Sequence, residues 1–177
     1  LGVGPETVSR VFLTHLHYDH IGNLDRFPDA ELLVAARDLD FWLGPLARRA
    51  QFAHTVEAGE LGQILAAVDA GRVRRLEGGE EIGEGVHAIL LGGHSPGQLA
   101  LGIDAIGGWT VLASDAVHFY EELERDRPFG VMADLAEMYE AYDTLRELAG
   151  FAGAHLVPGH DAEVMTRYPR AAGAAAG

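Results

Sequence analysis

Thr14-His15-Leu16-His17-Tyr18-Asp19-His20 places four candidate metal ligands within six residues, after the short apolar run Val11-Phe12-Leu13. On an extended chain, residues two apart point the same way, so His15 and His17 can share one cation. A turn at Tyr18 would send Asp19 and His20 toward a second cation beside the first. Imidazole with carboxylate suits zinc, with manganese, iron and cobalt as alternatives. A solvated His-rich loop is the bland alternative. Three His and one Asp at the end of an apolar strand argue against it.

Three later positions extend the pattern. His94 lies in Gly92-Gly93-His94-Ser95-Pro96-Gly97, Asp115 in Ser114-Asp115-Ala116, and His160 in Pro158-Gly159-His160. Each would follow a strand, where a rigid sheet can aim it into a common site. Singly, each reads as a surface-loop residue. Together with the first cluster they make seven ligands, a sensible number for two metals sharing one carboxylate. His54 and His87 lack such a context and read as ordinary surface or core residues. His155 reads as structural, and His118, three after Asp115, is ambiguous.

The scaffold that must carry these residues is α/β. A helix start falls at Gly4-Pro5-Glu6, a strand at 11–14, and a helical turn runs from His20 to Phe27-Pro28. Next come a strand at 31–35 and a helix at 36–42. The spacing of Leu61, Ile64, Leu65 and Val68 marks another helix, which Gly71 stops. Gly and Asp turns separate strands at 73–76, 86–91, 98–103 and 109–114. The helix at 134–149 begins on an Asp134–Glu137 capping box, and a last strand covers 155–157. Residues 1–170 read as one domain, and the Ala/Gly tail 171–177 as a disordered end.

Bulk properties narrow the function classes. The 177 residues are 48% apolar, enough for a genuine core. Acidic residues outnumber basic ones 27 to 13, and the net charge of −14 argues against nucleic acid or anionic lipid as a partner. Cysteine is absent, which removes thiolate ligands, disulfides and Cys nucleophiles and fits a reducing, cytoplasmic setting. No signal peptide or membrane-spanning run is visible, and the start at Leu1 reads as a processed product or a fragment.

The stretch Thr14 to Asn23 resembles the signature of the metallo-β-lactamase superfamily. Gly93-His94-Ser95-Pro96-Gly97-Gln98, Ser114-Asp115-Ala116 and Pro158-Gly159-His160-Asp161 are similar to its later metal motifs, in the same order. Within it the chain most resembles the N-acyl homoserine lactonases, through Ser114 to Glu121 and Arg127-Pro128-Phe129. The resemblance implies an αββα sandwich, here expected to lack its first strands. It also implies two divalent metal ions, zinc first. His15, His17 and His94 would hold one ion, Asp19, His20 and His160 the other, and Asp115 would bridge them. The implied activity is quorum quenching: a metal-bridging hydroxide opens the lactone ring of a small-molecule substrate. Asp19 would shuttle the proton to the leaving alkoxide.

Where well-known lactonases carry a Tyr three residues after the bridging Asp, this chain has His118, with Tyr120 two further on. Either would contact the lactone carbonyl. Phe119, Phe129 and Met132 could touch the acyl chain, though core packing is the plainer expectation. A homodimer stays open. The rivals are another hydrolase of the same fold, acting on thioesters, phosphodiesters or other esters, or an inactive metal-binding remnant.

Overall fold

The computed structural model describes residues 3–150 and 153–168, so the tail 171–177 lies outside the described residues. Its strands are β1 (Arg10–Phe12), β2 (Glu31–Ala35), β3 (Val73–Leu76), β4 (Glu81–Gly83), β5 (Val86–Leu90), β6 (Leu99–Ala105), β7 (Gly108–Ser114) and β8 (His155–Pro158). Its α-helices are α1 (Tyr18–Ile21), α2 (Ala36–Trp42), α3 (Ala50–Ala53), α4 (Ala58–Asp69), α5 (Tyr120–Arg125), α6 (Leu135–Ala149) and α7 (Val164–Arg167). No helix among the described residues is long and apolar enough to cross a membrane.

Strand β2 shows why these residues stack into layers. Glu-Leu-Leu-Val-Ala is apolar on both faces, as a strand covered on both sides must be. Leu32 and Val34 point to one face, where they join Leu39 and Trp42 of α2 and Ile64 and Ala67 of α4. Leu33 and Ala35 point to the other, where they meet Leu76, Ala88 and Leu99 between the two sheets. On the far side, Ala100, Val111 and Ala113 pack on Met138, Tyr142 and Leu145 of α6, all fully buried. Each such large apolar side chain contributes about 1.5–3 kcal/mol by leaving water. The resulting order is helices, sheet, sheet, helix.

The first sheet runs β1-β2-β3, all parallel, with Phe12 opposite Leu33 and Leu33 opposite Arg74. The second runs β4-β5-β6-β7-β8, antiparallel except that β8 is parallel to β7. Since β5 is antiparallel to β6 and β6 to β7, the C-terminal ends of β5, β7 and β8 share one edge. The end of β1 reaches the same edge, where Leu99 N donates to the Thr14 carbonyl at 2.7 Å. That edge receives every candidate ligand.

Some local expectations change. The N-terminal start is a single 3-10 turn, Pro5–Thr7, and β1 ends at Phe12 rather than at Thr14. Asp134 caps α6 by accepting from Ala136 N and Glu137 N, but Glu137 does not complete a capping box. Its carboxylate instead takes Arg37 at 2.7 Å and Gly93 N at 3.1 Å, tying α6 to the His94 loop. Gly93 has φ +81°, and a Cβ there would lie 2.7 Å from Met138 N, so the loop needs glycine to turn against α6. Strand β4 and helices α3, α5 and α7 are additions to the elements expected from the sequence.

Candidate metal centre

Beyond β1 the chain stays extended for a few residues, so Leu16 turns into the core while His15 and His17 turn away from it together. Leu16 and His15 are both almost completely buried. At His17 the backbone is still extended, and α1 begins at the next residue. That one turn brings Asp19 and His20 round to face Asp115. Asp115 follows Ser114, whose φ of +48° is strained for a residue with a Cβ. The Ser114 hydroxyl donates to Thr14 Oγ1 at 3.0 Å, which holds the twist against the first loop. A Cβ on Gly159 would sit 2.9 Å from Asp115 Oδ1, so glycine lets the His160 segment close over the carboxylate.

Two donor sets hold the seven residues expected from the sequence, and a third, His94, Asp115 and His118, overlaps them. His15, His17 and His94, all buried, form the first, and Asp19, His20, Asp115 and His160 the second. Asp115 divides its oxygens between them. Oδ1 lies 3.3 Å from both His20 Nε2 and His160 Nε2. Oδ2 lies 3.5 Å from His94 Nε2 and 3.1 Å from His118 Nε2. Asp19 Oδ2 closes the second set at 3.5 Å from His20 Nε2 and 3.9 Å from His160 Nε2.

The ring nitrogens are arranged for a cation. His94 Nδ1 donates to the Val131 carbonyl at 2.9 Å, which leaves Nε2 bare and aimed inward. It faces His17 Nδ1 at 2.9 Å, a pair of nitrogens that a proton or a metal ion must reconcile. His15 Nε2 is buried with no hydrogen-bond partner among the described residues, and the buried His20 Nε2 has only the Asp115 and Asp19 carboxylates beside it, at 3.3 and 3.5 Å. Buried polar atoms are rarely left so. Neutral imidazoles, carboxylates and no thiolate fit divalent zinc, manganese, iron or cobalt.

Burial, helped by the neighbouring imidazoles, pushes His17 down to about 4 and His94 down to about 3, and His15 falls well below its ordinary value. These rings therefore stay neutral and able to ligate at any physiological pH. Burial alone would raise Asp115, but hydrogen bonds from His118 and His20 hold it well below the usual carboxylate range. Burial likewise opposes charge on His118, yet the Asp115 and Glu122 carboxylates push it up to about 9.

The signs give a pH prediction for the metal-free protein. Imidazoles in the unfolded chain titrate near about 6.5. Between that value and the depressed values of His17 and His94, the unfolded chain binds more protons, so stability falls as pH falls. The raised group acts oppositely: the His118 contribution is complete below about 6.5 and is lost as pH rises through about 9. Chelated protein should therefore melt highest at about pH 6.5, where both contributions are complete, with a marked drop by about pH 4.5. A flat profile in a thermal-melt series would contradict this account of the buried rings.

The donor sets open onto a cavity of about 350 Å³ lined by His17, Tyr18, Asp19, His118, Phe119 and Phe129, among others. Phe119 and Phe129 are 40% and 42% exposed, so they are cavity wall rather than core. Met132 lines an adjoining cavity with Trp42 and Phe52. His54, read from sequence as ordinary, borders both cavities.

The two candidates for carbonyl contact separate. His118 is buried and faces the cavity against Phe129, ring centroids 4.4 Å apart. Tyr120 is a correction. As the first residue of α5 it is rotated away, its hydroxyl donates to the Leu156 carbonyl at 3.1 Å, and Arg167 covers its ring.

Two buried carboxylates were not anticipated. Asp38 reaches both His-bearing loops. Glu122 accepts from His118 N and Phe119 N at 3.0 Å and from Tyr142 Oη at 2.7 Å, with its Oε1 3.4 Å from His118 Nδ1. The spacing H-x-x-x-E across the start of α5 was the available signal for Glu122.

A fold of paired sheets with this sequence of His and Asp loops defines a family. The model of the metallo-beta-lactamase superfamily matches residues 1–160, and the chain belongs to that superfamily. Among characterised relatives, it is 25% identical to N-acyl homoserine lactonase AttM of Azorhizobium caulinodans, over 98% of this chain and 65% of that protein. An N-acyl homoserine lactone hydrolase solved with the product N-hexanoyl-L-homoserine at its catalytic metal centre superposes with a TM-score of 0.74 at 22% identity. That match covers 94% of this chain and 61% of the other. AidC, a dizinc quorum-quenching lactonase, gives 0.72 at 19% identity, covering 90% and 59%. The chain thus spans about two thirds or less of the length of these relatives, and both structures share its metallo-β-lactamase fold.

Proposed function

We propose that the chain carries the centre of a dinuclear metal hydrolase that opens the lactone ring of N-acyl homoserine lactones. The observation that carries this reading is the division of Asp115, one oxygen toward each donor set. In this reading His15, His17 and His94 would hold one ion, Asp19, His20 and His160 the other, and Asp115 would serve both. Two such ions supply a water acidified toward neutral pKa and a Lewis acid for the carbonyl. His118 lines the cavity, and its place between two carboxylates favours a protonated ring that would stabilise the oxyanion developing on the carbonyl oxygen. As the ring C–O bond breaks, the departing alkoxide takes a proton from the attacking water by way of Asp19. That residue is 41% exposed at the cavity rim, able to move a proton without leaving the site. Phe119 and Phe129 flank His118 and would present an apolar wall to the acyl side of the substrate.

The likeness to AttM and to two lactonase structures supports this substrate class over thioesters and phosphodiesters. The test is zinc-loaded protein with N-hexanoyl homoserine lactone, following acid release alongside metal analysis. Turnover with about two ions per chain is expected for a bridged pair. One ion or fewer would sink the dinuclear reading. Full loading with turnover only on thioesters or phosphodiesters would overturn the lactonase reading.

A further inference from the structure

We infer that Asp38 is a positioning residue that keeps the three imidazoles of the first donor set in register by tying their two loops to one carboxylate. It sits in the first turn of α2, fully buried, where an acidic residue would ordinarily face solvent. Its Oδ2 accepts from Leu16 N at 3.0 Å, the peptide group between His15 and His17. Its Oδ1 accepts from Ser95 Oγ and Gly97 N, both at 2.6 Å, in the loop that carries His94. One side chain thus fixes the segments that deliver all three rings.

The neighbours reinforce it. Trp42, one turn further along α2, donates from Nε1 to Ser95 Oγ at 2.8 Å and places its ring edge against His17, centroids 5.1 Å apart. A Cβ on Gly97 would lie 2.6 Å from Asp38 N, so the His94 loop lies directly on the start of α2.

The second donor set does not use this anchor. Tyr18 N, at the start of α1, donates to the Thr55 carbonyl, Gly159 N to Ser114 and Val117, and His160 N to His118. A carboxylate that merely stabilised the fold would loosen both sets alike. Asp38 holds the first loop at Leu16, between the two rings of the first set, while Asp19 and His20 lie past the separate Tyr18–Thr55 contact on that segment, so its loss should weaken the first equivalent and leave the second. Partners that orient metal ligands without touching the metal are worth about 10–100-fold in affinity.

The inference rests on the two-metal reading, and the test keeps the failures apart. Zinc is titrated into chelated protein in competition with a chromophoric chelator, comparing the wild type with Asp38→Asn. The expected result is an affinity about 10–100-fold lower for one equivalent, with the other unchanged. In a His160→Ala background, where the first set alone remains intact, the same fall should reappear. Asp38→Glu, which keeps the carboxylate, should recover part of the loss. Equal weakening of both equivalents, or a lowered melting temperature with both affinities intact, would overturn the positioning role. A wild-type chain that binds only one equivalent would instead defeat the dinuclear reading. Should Asp38→Asn not fold, Ser95→Ala removes a single contact and should shift the same equivalent by a smaller factor. No shift there would also overturn the role.

Discussion

Asp115→Ala is expected to lower kcat/KM for lactone opening by more than about 10³-fold, the largest effect of any single change to the site. The residue directly follows a strand of the second sheet and reaches both donor sets, so on the proposed two-metal reading alanine would remove the shared ligand of both ions at once. It also leaves His118 buried with Glu122 as its remaining carboxylate, where one carboxylate now sits on each side of the ring. Breaking a buried pair of this kind costs about 3–5 kcal/mol. Asp115→Asn, which keeps the shape and loses the charge, separates the two consequences. It should remain folded and still fail to turn over lactone. Turnover near the wild-type level with two bound metals would refute the bridging role. Kinetics and metal analysis on the same preparation decide the matter.

His118→Gln is the second large effect, and its pattern should differ. The imidazole lies inside the cavity wall, but the first donor set is complete without it. Metal content should therefore hold while kcat falls by about 10²–10³-fold, the usual loss on removing one group that stabilises a developing oxyanion. KM should move much less, because the interaction strengthens only as charge develops on the carbonyl oxygen. Loss of a metal equivalent instead would make His118 a ligand, which its place beside His94 and Asp115 makes geometrically accessible. An unchanged kcat would remove it from the chemistry.

The legible part of the site was the part whose chemistry demands rare residues at fixed places. His15, His17, Asp19, His20, His94, Asp115 and His160 all arrive at one edge of the sheets because each follows a strand end or a tight turn. Strand 31–35 and helix 36–42 were readable because β2 is apolar on both faces and α2 begins where that pattern changes period. Strand β4 was not, since Glu-Ile-Gly between glycine turns offers too short a pattern to read. Tyr120 was misplaced because spacing from Asp115 does not show which way a side chain leaves the first turn of a helix.

Asp38 and Glu122 escaped for another reason. An acid in a helix ordinarily marks a solvated face, and only tertiary packing shows that these two face inward. In hindsight the spacing of Asp38 and Trp42, four apart and converging on Ser95, was the available signal.

One feature of the edge where the sheets meet has a mechanical side. His15, His17, Asp19 and His20 extend from the first sheet, while His94, Asp115 and His160 extend from the second. Ions held between them would be rivets through a seam: free energy gained by binding metal at both leaves would resist the leaves sliding apart. Chelation would then free the leaves to shear along Leu33, Ala88 and Leu99, where their apolar faces meet.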